Sequence, residues 1–291
     1  MKHVSSGKNF VTGKTGTRLD FVSLHCYSSI PQDVDDPLRY KVCPESIVNQ
    51  YQTYRAIMGL YGLGRTPAVI DEWAAAAEGY LGIDEDPRMR FRETEYYAAF
   101  YFNLIDLFTR LEMPPERMMI CLSGQDRVNR DFDGHRTFFT ARGWKKPLYN
   151  AFVMAAHLGG ELLAVEGNSP RNCGIIATRS GDGRIAIVLY NHESDFGREG
   201  ENIPEPVQLA LHFLPQKFRV ERRRIDPIFS NAFTAWSRLG SPAEPTVWER
   251  EQISRRSELE KYRPDEVGSE NWTGEVLLLP NSVELLEFIP A

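Results

Sequence analysis

The sequence predicts an α/β segment followed by an all-β segment. Three observations carry this. Residues 1–162 alternate β-favouring runs with helical periodicity three times in succession, which argues for parallel strands joined by crossover helices. The strand-like runs of that half end in polar residues, and α/β barrels place their active sites at the C-terminal ends of their strands. From residue 163 the pattern changes to short apolar runs separated by Gly/Asp and Pro/Asn clusters, as antiparallel strands require. The expected division is an α/β part over 1–162 and a β-sandwich with one helical excursion over 163–291.

The first strand is expected at 19–25 (Leu19-Asp20-Phe21-Val22-Ser23-Leu24-His25), after Gly16. A proline-containing loop leads to a helix from Glu45, where Ile47, Tyr51, Tyr54, Ile57 and Met58 recur at threes and fours. Gly62 and Gly64 end it. The second strand is expected at 67–73, apolar until Asp71 and acidic at its end. After a Gly-, Asp- and Pro-rich loop, residues 93–111 form an aromatic-rich helix, 118–122 a third strand and 146–158 a third helix opened by Pro147. In the second half, runs at 174–178 and 184–190 flank Gly181-Asp182-Gly183 as a hairpin. Strands at 207–213 and 218–225 precede the segment 231–239, Pro242, Pro245 and a charged helical stretch at 247–261. Runs at 275–279 and 283–289 around Pro280-Asn281-Ser282 read as a last hairpin.

Composition narrows the function. At ~150 residues per domain, 291 residues leave room for about two domains. With 42% hydrophobic and 25% charged residues the chain is neither collagen-like nor disordered. Lys plus Arg is 34 against 40 for Asp plus Glu, a net charge of −6, so nothing draws it generally to nucleic acid or acidic membranes. No apolar run approaches the ~20 residues of a membrane span, and the N-terminus has Lys2 but no apolar core of a secretory signal, so a cytoplasmic location is expected. Cys26, Cys43, Cys121 and Cys173 lie far apart, which suits neither a zinc site nor a disulfide framework. His3, His135, His157, His192 and His212 share no metal-ligand spacing, and there is no P-loop, dinucleotide fingerprint or nucleophile elbow. No cofactor and no metal is expected.

The sharpest local feature is Asp71-Glu72-Trp73 at a strand end. A carboxylate beside an aromatic platform suits carbohydrate chemistry, in which two carboxyl groups flank the bond and an indole face stacks on sugar C–H groups. Alternatively, Glu72 caps a helix or pairs with an arginine. His25 and Tyr27 fall on one face at the end of the preceding strand, suited to bonding a neighbouring carboxylate or a sugar hydroxyl, or in the case of His25 to a satisfied buried position. Asp126, after the third strand, is a sugar contact or a loop cap. Arg222, Arg223 and Arg224 alternate along a strand, which splits them between two faces and favours a solvated surface over an anion site.

Taken together, several segments resemble glycoside hydrolase family 39, the family of β-xylosidases and α-L-iduronidases. Residues 16–25 are similar to its sixth barrel strand, Val69-Ile70-Asp71-Glu72-Trp73 to the seventh, and Lys146-Pro147-Leu148-Tyr149-Asn150-Ala151-Phe152 to the start of the last barrel helix. The most specific match is C-terminal: Arg224-Ile225-Asp226, Ser230-Asn231-Ala232-Phe233, Trp236, Gly240-Ser241-Pro242 and Pro245-Thr246. Ala74 stands where the family has Asn, and Leu122 where it has Trp.

The resemblance implies the last three β/α units of a (β/α)8 barrel before a β-sandwich. It implies a retaining mechanism with Glu72 as nucleophile and His25 supporting Glu72 or contacting substrate. The implied substrate is a xyloside or related glycoside. The family's acid/base is a Glu preceded by Asn at an earlier strand end, and this chain contains no Asn-Glu pair. A whole barrel takes about 250 residues. The expectation is thus a hydrolase fragment lacking its N-terminal barrel half, with one half of a split enzyme and a non-catalytic carbohydrate-binding relic as alternatives.

Overall fold

The computed structural model describes residues 1–28, 42–124, 130–194, 200–212, 214 and 217–291. In chain order the elements are α1 (Lys2–Ser6), β1 (Val22–Tyr27), α2 (Pro44–Leu60), β2 (Ala68–Ala74), a 3₁₀ helix (Pro87–Glu93), α3 (Glu95–Thr109), β3 (Arg117–Ile120), α4 (Pro147–Ala155), β4 (Glu161–Leu162), β5 (Cys173–Arg179), β6 (Ile185–Asn191), β7 (Glu205–Leu211), β8 (Phe218–Ile225), α5 (Ala232–Arg238), α6 (Val247–Ser257), β9 (Glu266–Gly268), β10 (Trp272–Leu278) and β11 (Val283–Pro290). They fall into two compact units. One draws on the residues up to 28, Val42–Ala77 and Leu107–Cys121, the other on Glu78–Asp106 and the described residues from 122 onward.

The first unit is a parallel sheet in the order β1-β2-β3. Parallel neighbours need a crossover, and α2 supplies the one between β1 and β2. It buries Ile47, Val48, Tyr51 and Met58. Tyr51 meets Phe108 edge-on at 5.5 Å and donates to the Met113 carbonyl at 3.0 Å. The first strand starts three residues later than alternation suggests. Its ladder opens where the Val22 N–H reaches the Pro67 carbonyl at 2.9 Å, so β2 fixes the start.

The helix expected over 93–111 is present as α3, and a 3₁₀ helix that the sequence did not signal precedes it. Thr94 adopts an extended conformation (φ −103, ψ 170) between the 3₁₀ helix and α3. Asp86 caps the former by accepting from the Arg88 N–H at 3.0 Å. Residues 173–191 form the antiparallel hairpin expected around Gly181-Asp182-Gly183. The main sheet has the order β4-β5-β6-β11-β8-β9, so it begins at Glu161, and a second sheet pairs β7 with β10. Between them lies one apolar layer, including Ile187, Leu189, Phe218, Val220, Trp272, Val276, Leu286 and Phe288.

Two sequence expectations fail here. The turn at Pro280-Asn281-Ser282 does not join a hairpin. β10 pairs with β7, whereas β11 crosses to the main sheet between β6 and β8. β11 reads Val-Glu-Leu-Leu-Glu-Phe and is buried along nearly its whole length, as a central strand must be. The three arginines of β8 do split between the two faces, but they are not solvated: their side chains are 3%, 17% and 12% exposed. On one face Arg224 is bonded to Glu284, and Arg222 lies 3.6 Å from the same carboxylate. On the other, Arg223 meets Glu287 and, at 2.8 Å, Glu221. In the register Glu284 stands opposite Arg224 and Glu287 opposite Glu221, so the β11 glutamates fall within reach of all three arginines and each guanidinium has a carboxylate partner.

The first part of α3 packs on β6. The Tyr101 ring stacks on Phe152 of α4 at 4.4 Å, and Tyr190 donates to Asp106 at 2.7 Å. His192 sits between Tyr96 and Phe100, with Nδ1 3.0 Å from the Asn103 side-chain nitrogen. Burial holds it neutral, its pKa pushed down from 6.5 to about 3. The unfolded chain therefore binds a proton below pH 6.5 that the folded chain refuses until about pH 3. Stability linked to this residue is complete above pH 6.5 and is lost as pH falls toward 3. Urea unfolding at pH 4.5 is expected to show a loss of about 3 kcal/mol relative to pH 7, absent from His192→Phe. Equal pH slopes in the two proteins would show that His192 accepts its proton in the folded state.

Candidate active site

The candidate site lies in the first unit, at the C-terminal ends of β1 and β2. Strict alternation would put Glu72 in phase with Ala68 and Ile70, both buried. It does not stay in phase. Against β1 the register runs Leu24↔Ile70 and then His25↔Glu72, leaving Asp71 as an extra residue. Against β3 it slips between Ile70 and Trp73 as well. This is a β-bulge, a device that re-aims side chains and recurs beside active sites. Its effect is to turn Glu72 onto the face that carries His25 and Tyr27.

On that face three side chains converge. The Tyr27 hydroxyl donates to Glu72 Oε2 at 2.5 Å. His25 Nδ1 lies 3.3 Å from the same oxygen, and His25 Nε2 lies 3.6 Å from Asp71 Oδ2. The side chains of His25, Glu72 and Asp71 are 57%, 40% and 32% exposed, so the cluster is open to an incoming molecule. Both contacts to Glu72 fall on Oε2, and among the described residues no hydrogen bond reaches Oε1. The carboxylate is thus held from one side with its other oxygen free.

Tyr27 is itself clamped by α2. Gln50 donates to the Tyr27 carbonyl at 2.6 Å and accepts from its N–H at 3.4 Å, and Ser46 supports the Gln50 amide at 3.2 Å. Beneath the cluster, Cys26 has its thiol pushed up to about 11 by burial and by the Asp71 charge, and so is not a competing nucleophile.

Of the residues singled out from sequence, His25, Tyr27 and Glu72 come together. Trp73 does not join them: it is completely buried and offers no face for stacking. The bulge explains this, since Trp73 pairs with the fully buried Cys26. Asp126 lies outside the described residues. Sequence reasoning missed Asp71 as a partner of His25, and Gln50, which carries no signal beyond its place on a helix. Among the described residues no group of three or more His, Cys, Asp or Glu side chains could hold a metal ion, and no helix is long and apolar enough to cross a membrane.

The first unit thus brings a strand-end carboxylate, a phenol and an imidazole together on one face of a parallel sheet. The chain belongs to glycosyl hydrolases family 39, whose family model matches residues 2–276. It is 25% identical over 304 aligned positions to a β-xylosidase of Caldicellulosiruptor saccharolyticus, an alignment covering 95% of this chain and 55% of that protein. Among solved structures it resembles a bacterial orthologue of human α-L-iduronidase (TM-score 0.81, 19% identity, 100% of this chain and 52% of that one). It also resembles a monomeric β-xylosidase from Caulobacter crescentus CB15 (TM-score 0.71, 18% identity, 94% and 56%). The chain spans about half the length of these relatives.

Proposed function

We propose that this chain carries the nucleophile side of a retaining, β-xylosidase-like glycoside hydrolase. The observation that carries the reading is the bulge that turns Glu72 toward Tyr27 and His25. Glu72 Oε1 attacks the anomeric carbon, the aglycone leaves, and a glycosyl ester forms that water then hydrolyses. Tyr27 fixes the carboxylate through Oε2, the oxygen that becomes the ester carbonyl, and so holds Oε1 toward the anomeric carbon. His25 is a positioning residue between Glu72 and Asp71.

A retaining enzyme needs a second carboxyl group about 5 Å from the first as acid/base. Asp71 follows from the same strand and is already turned to His25 Nε2. We assign the acid/base to a residue outside this chain, supplied by the earlier half of the barrel. Residues 1–162 are then the last three β/α units of that barrel and 163–291 the sandwich. The absence of an Asn-Glu pair and the half-length match to relatives support this.

The chain alone is expected to hydrolyse 4-nitrophenyl β-D-xyloside little or not at all. Co-expression with the residues encoded upstream, or with the N-terminal half of a related β-xylosidase, is expected to restore turnover. Robust turnover by the chain alone that vanishes in Glu72→Ala would overturn the split, because it would place the acid within these residues.

A further inference from the structure

α5 and α6 enclose an open hollow of about 220 Å³. Its lining is unlike the rest of this acidic chain. Arg238, Arg255 and Arg256 face it, together with Trp248, Ile228 and Leu239. Trp248 is 59% exposed and Ile228 42% exposed, so a large aromatic face stands uncovered beside the guanidinium groups. An indole of that size is more often placed against a core.

The three arginines are not equivalent. Arg256 is committed: its Nη1 reaches both Glu260 oxygens at 2.9 Å, and its guanidinium lies 5.2 Å from the Phe229 ring. Among the described residues Arg255 has only a neutral partner, the Gln252 side-chain oxygen at 2.7 Å. Arg238 has no acidic partner among the described residues. Both uncommitted residues sit in the last turn of their helices, where the carbonyl ends favour a cation. The helix carrying Trp248 and Arg255 is firmly set, since Thr246 and Glu249 form a reciprocal capping box at its start.

Two guanidinium forks with no acidic partner among the described residues are matched to a carboxylate or sulfate, which they grip through paired N–H donors. A flat indole is matched to the C–H face of a pyranose ring. We propose that this hollow is a non-catalytic binding site for an anionic pyranoside, with Arg238 and Arg255 holding the acidic group and Trp248 stacking on the ring. It shares no residue with the Glu72 cluster. The negative charge of the ligand follows from the arginines alone. That it is a sugar rests on the reading of the chain as a glycosidase.

The test is calorimetry on the Glu72→Gln chain, with three probes: a xylo-oligosaccharide bearing one glucuronic acid, the neutral oligosaccharide of the same length, and sodium sulfate. The acidic oligosaccharide is expected to bind about 10-fold or more tightly than the neutral one, as one charge-assisted pair implies. Raising salt from about 20 to about 200 mM is expected to weaken it, because these arginines are exposed. Trp248→Ala and the pair Arg238→Ala/Arg255→Ala should each lose most of the binding. All three side chains are exposed, so circular dichroism should be unchanged. Equal affinity for the neutral sugar, no binding by a folded chain, or binding untouched by these variants would overturn the site. Sulfate binding as tight as the acidic sugar would overturn the sugar assignment, while covalent labelling of Glu72 would stand or fall independently.

Discussion

Treatment of the chain with 2,4-dinitrophenyl 2-deoxy-2-fluoro-β-D-xyloside is expected to leave a fluoroxylosyl ester on Glu72. Dinitrophenolate departs without protonation, so this reagent reports the nucleophile even where no acid/base is present. The fluorine slows hydrolysis of the ester, which lets it accumulate. Peptide mass spectrometry with fragmentation distinguishes Glu72 from its neighbour Asp71. Glu72→Gln should abolish labelling. Tyr27→Phe should slow it by about 10- to 100-fold, the equivalent of a hydrogen bond to a charged group at 1.5–3 kcal/mol. Circular dichroism of Tyr27→Phe should be unchanged, since Gln50 clamps the backbone of residue 27 and not its phenol. Labelling of Asp71 instead, or none in a folded chain, would remove Glu72 from the nucleophile's role.

The second large effect concerns stability. Glu93 and Lys146 form an ion pair at 2.7 Å with side chains 0% and 1% exposed. Glu93 Oε1 also accepts the Gly134 N–H at 2.7 Å, and Lys146 Nζ donates to the His135 carbonyl at 3.1 Å. Burial raises the Glu93 carboxyl above its usual range, against the pull of the Lys146 ammonium and the Gly134 N–H. Glu93 Oε2 has no hydrogen-bond partner among the described residues. Lys146→Met would leave a carboxyl already short of one bond without its cation. Loss of one member of such a pair costs about 3–5 kcal/mol. Lys146→Met is thus expected to unfold at markedly lower urea concentration, and Glu93→Gln/Lys146→Met to recover part of the difference. A single variant as stable as the parent would mean that Glu93 is protonated in the folded protein and needs no counter-charge.

Much of this fold was legible because its strands obey simple periodicities. The Phe218–Ile225 strand and the hairpin at 173–191 follow directly from apolar alternation and turn residues. What was not legible depends on partners distant in sequence. Pro280-Asn281-Ser282 signals a turn but not whether the next strand folds back or crosses to another sheet. Arg222–224 look solvated because charges usually are, and the glutamates that receive them lie on β11, about 60 residues on. For the site, the strand-end position of Glu72 and the shared face of His25 and Tyr27 could be read from residue order. The bulge could not, since it inserts no distinctive residue and exists only in the register against two neighbours. Trp73 was misjudged for the same reason, because its orientation is set by that shift.

The slipped register on β2 also bears on how this strand can vary. Whether its glutamate meets the tyrosine or the interior is decided by the number of residues between Ile70 and Trp73, not by their identities alone. Exchanging letters in that stretch leaves the count intact. Losing one codon would reverse the face of Glu72 while preserving every residue named as chemical. In this strand the reading frame of the pleat is an inherited trait in its own right, one that a comparison of aligned residue types passes over and a comparison of gaps would catch.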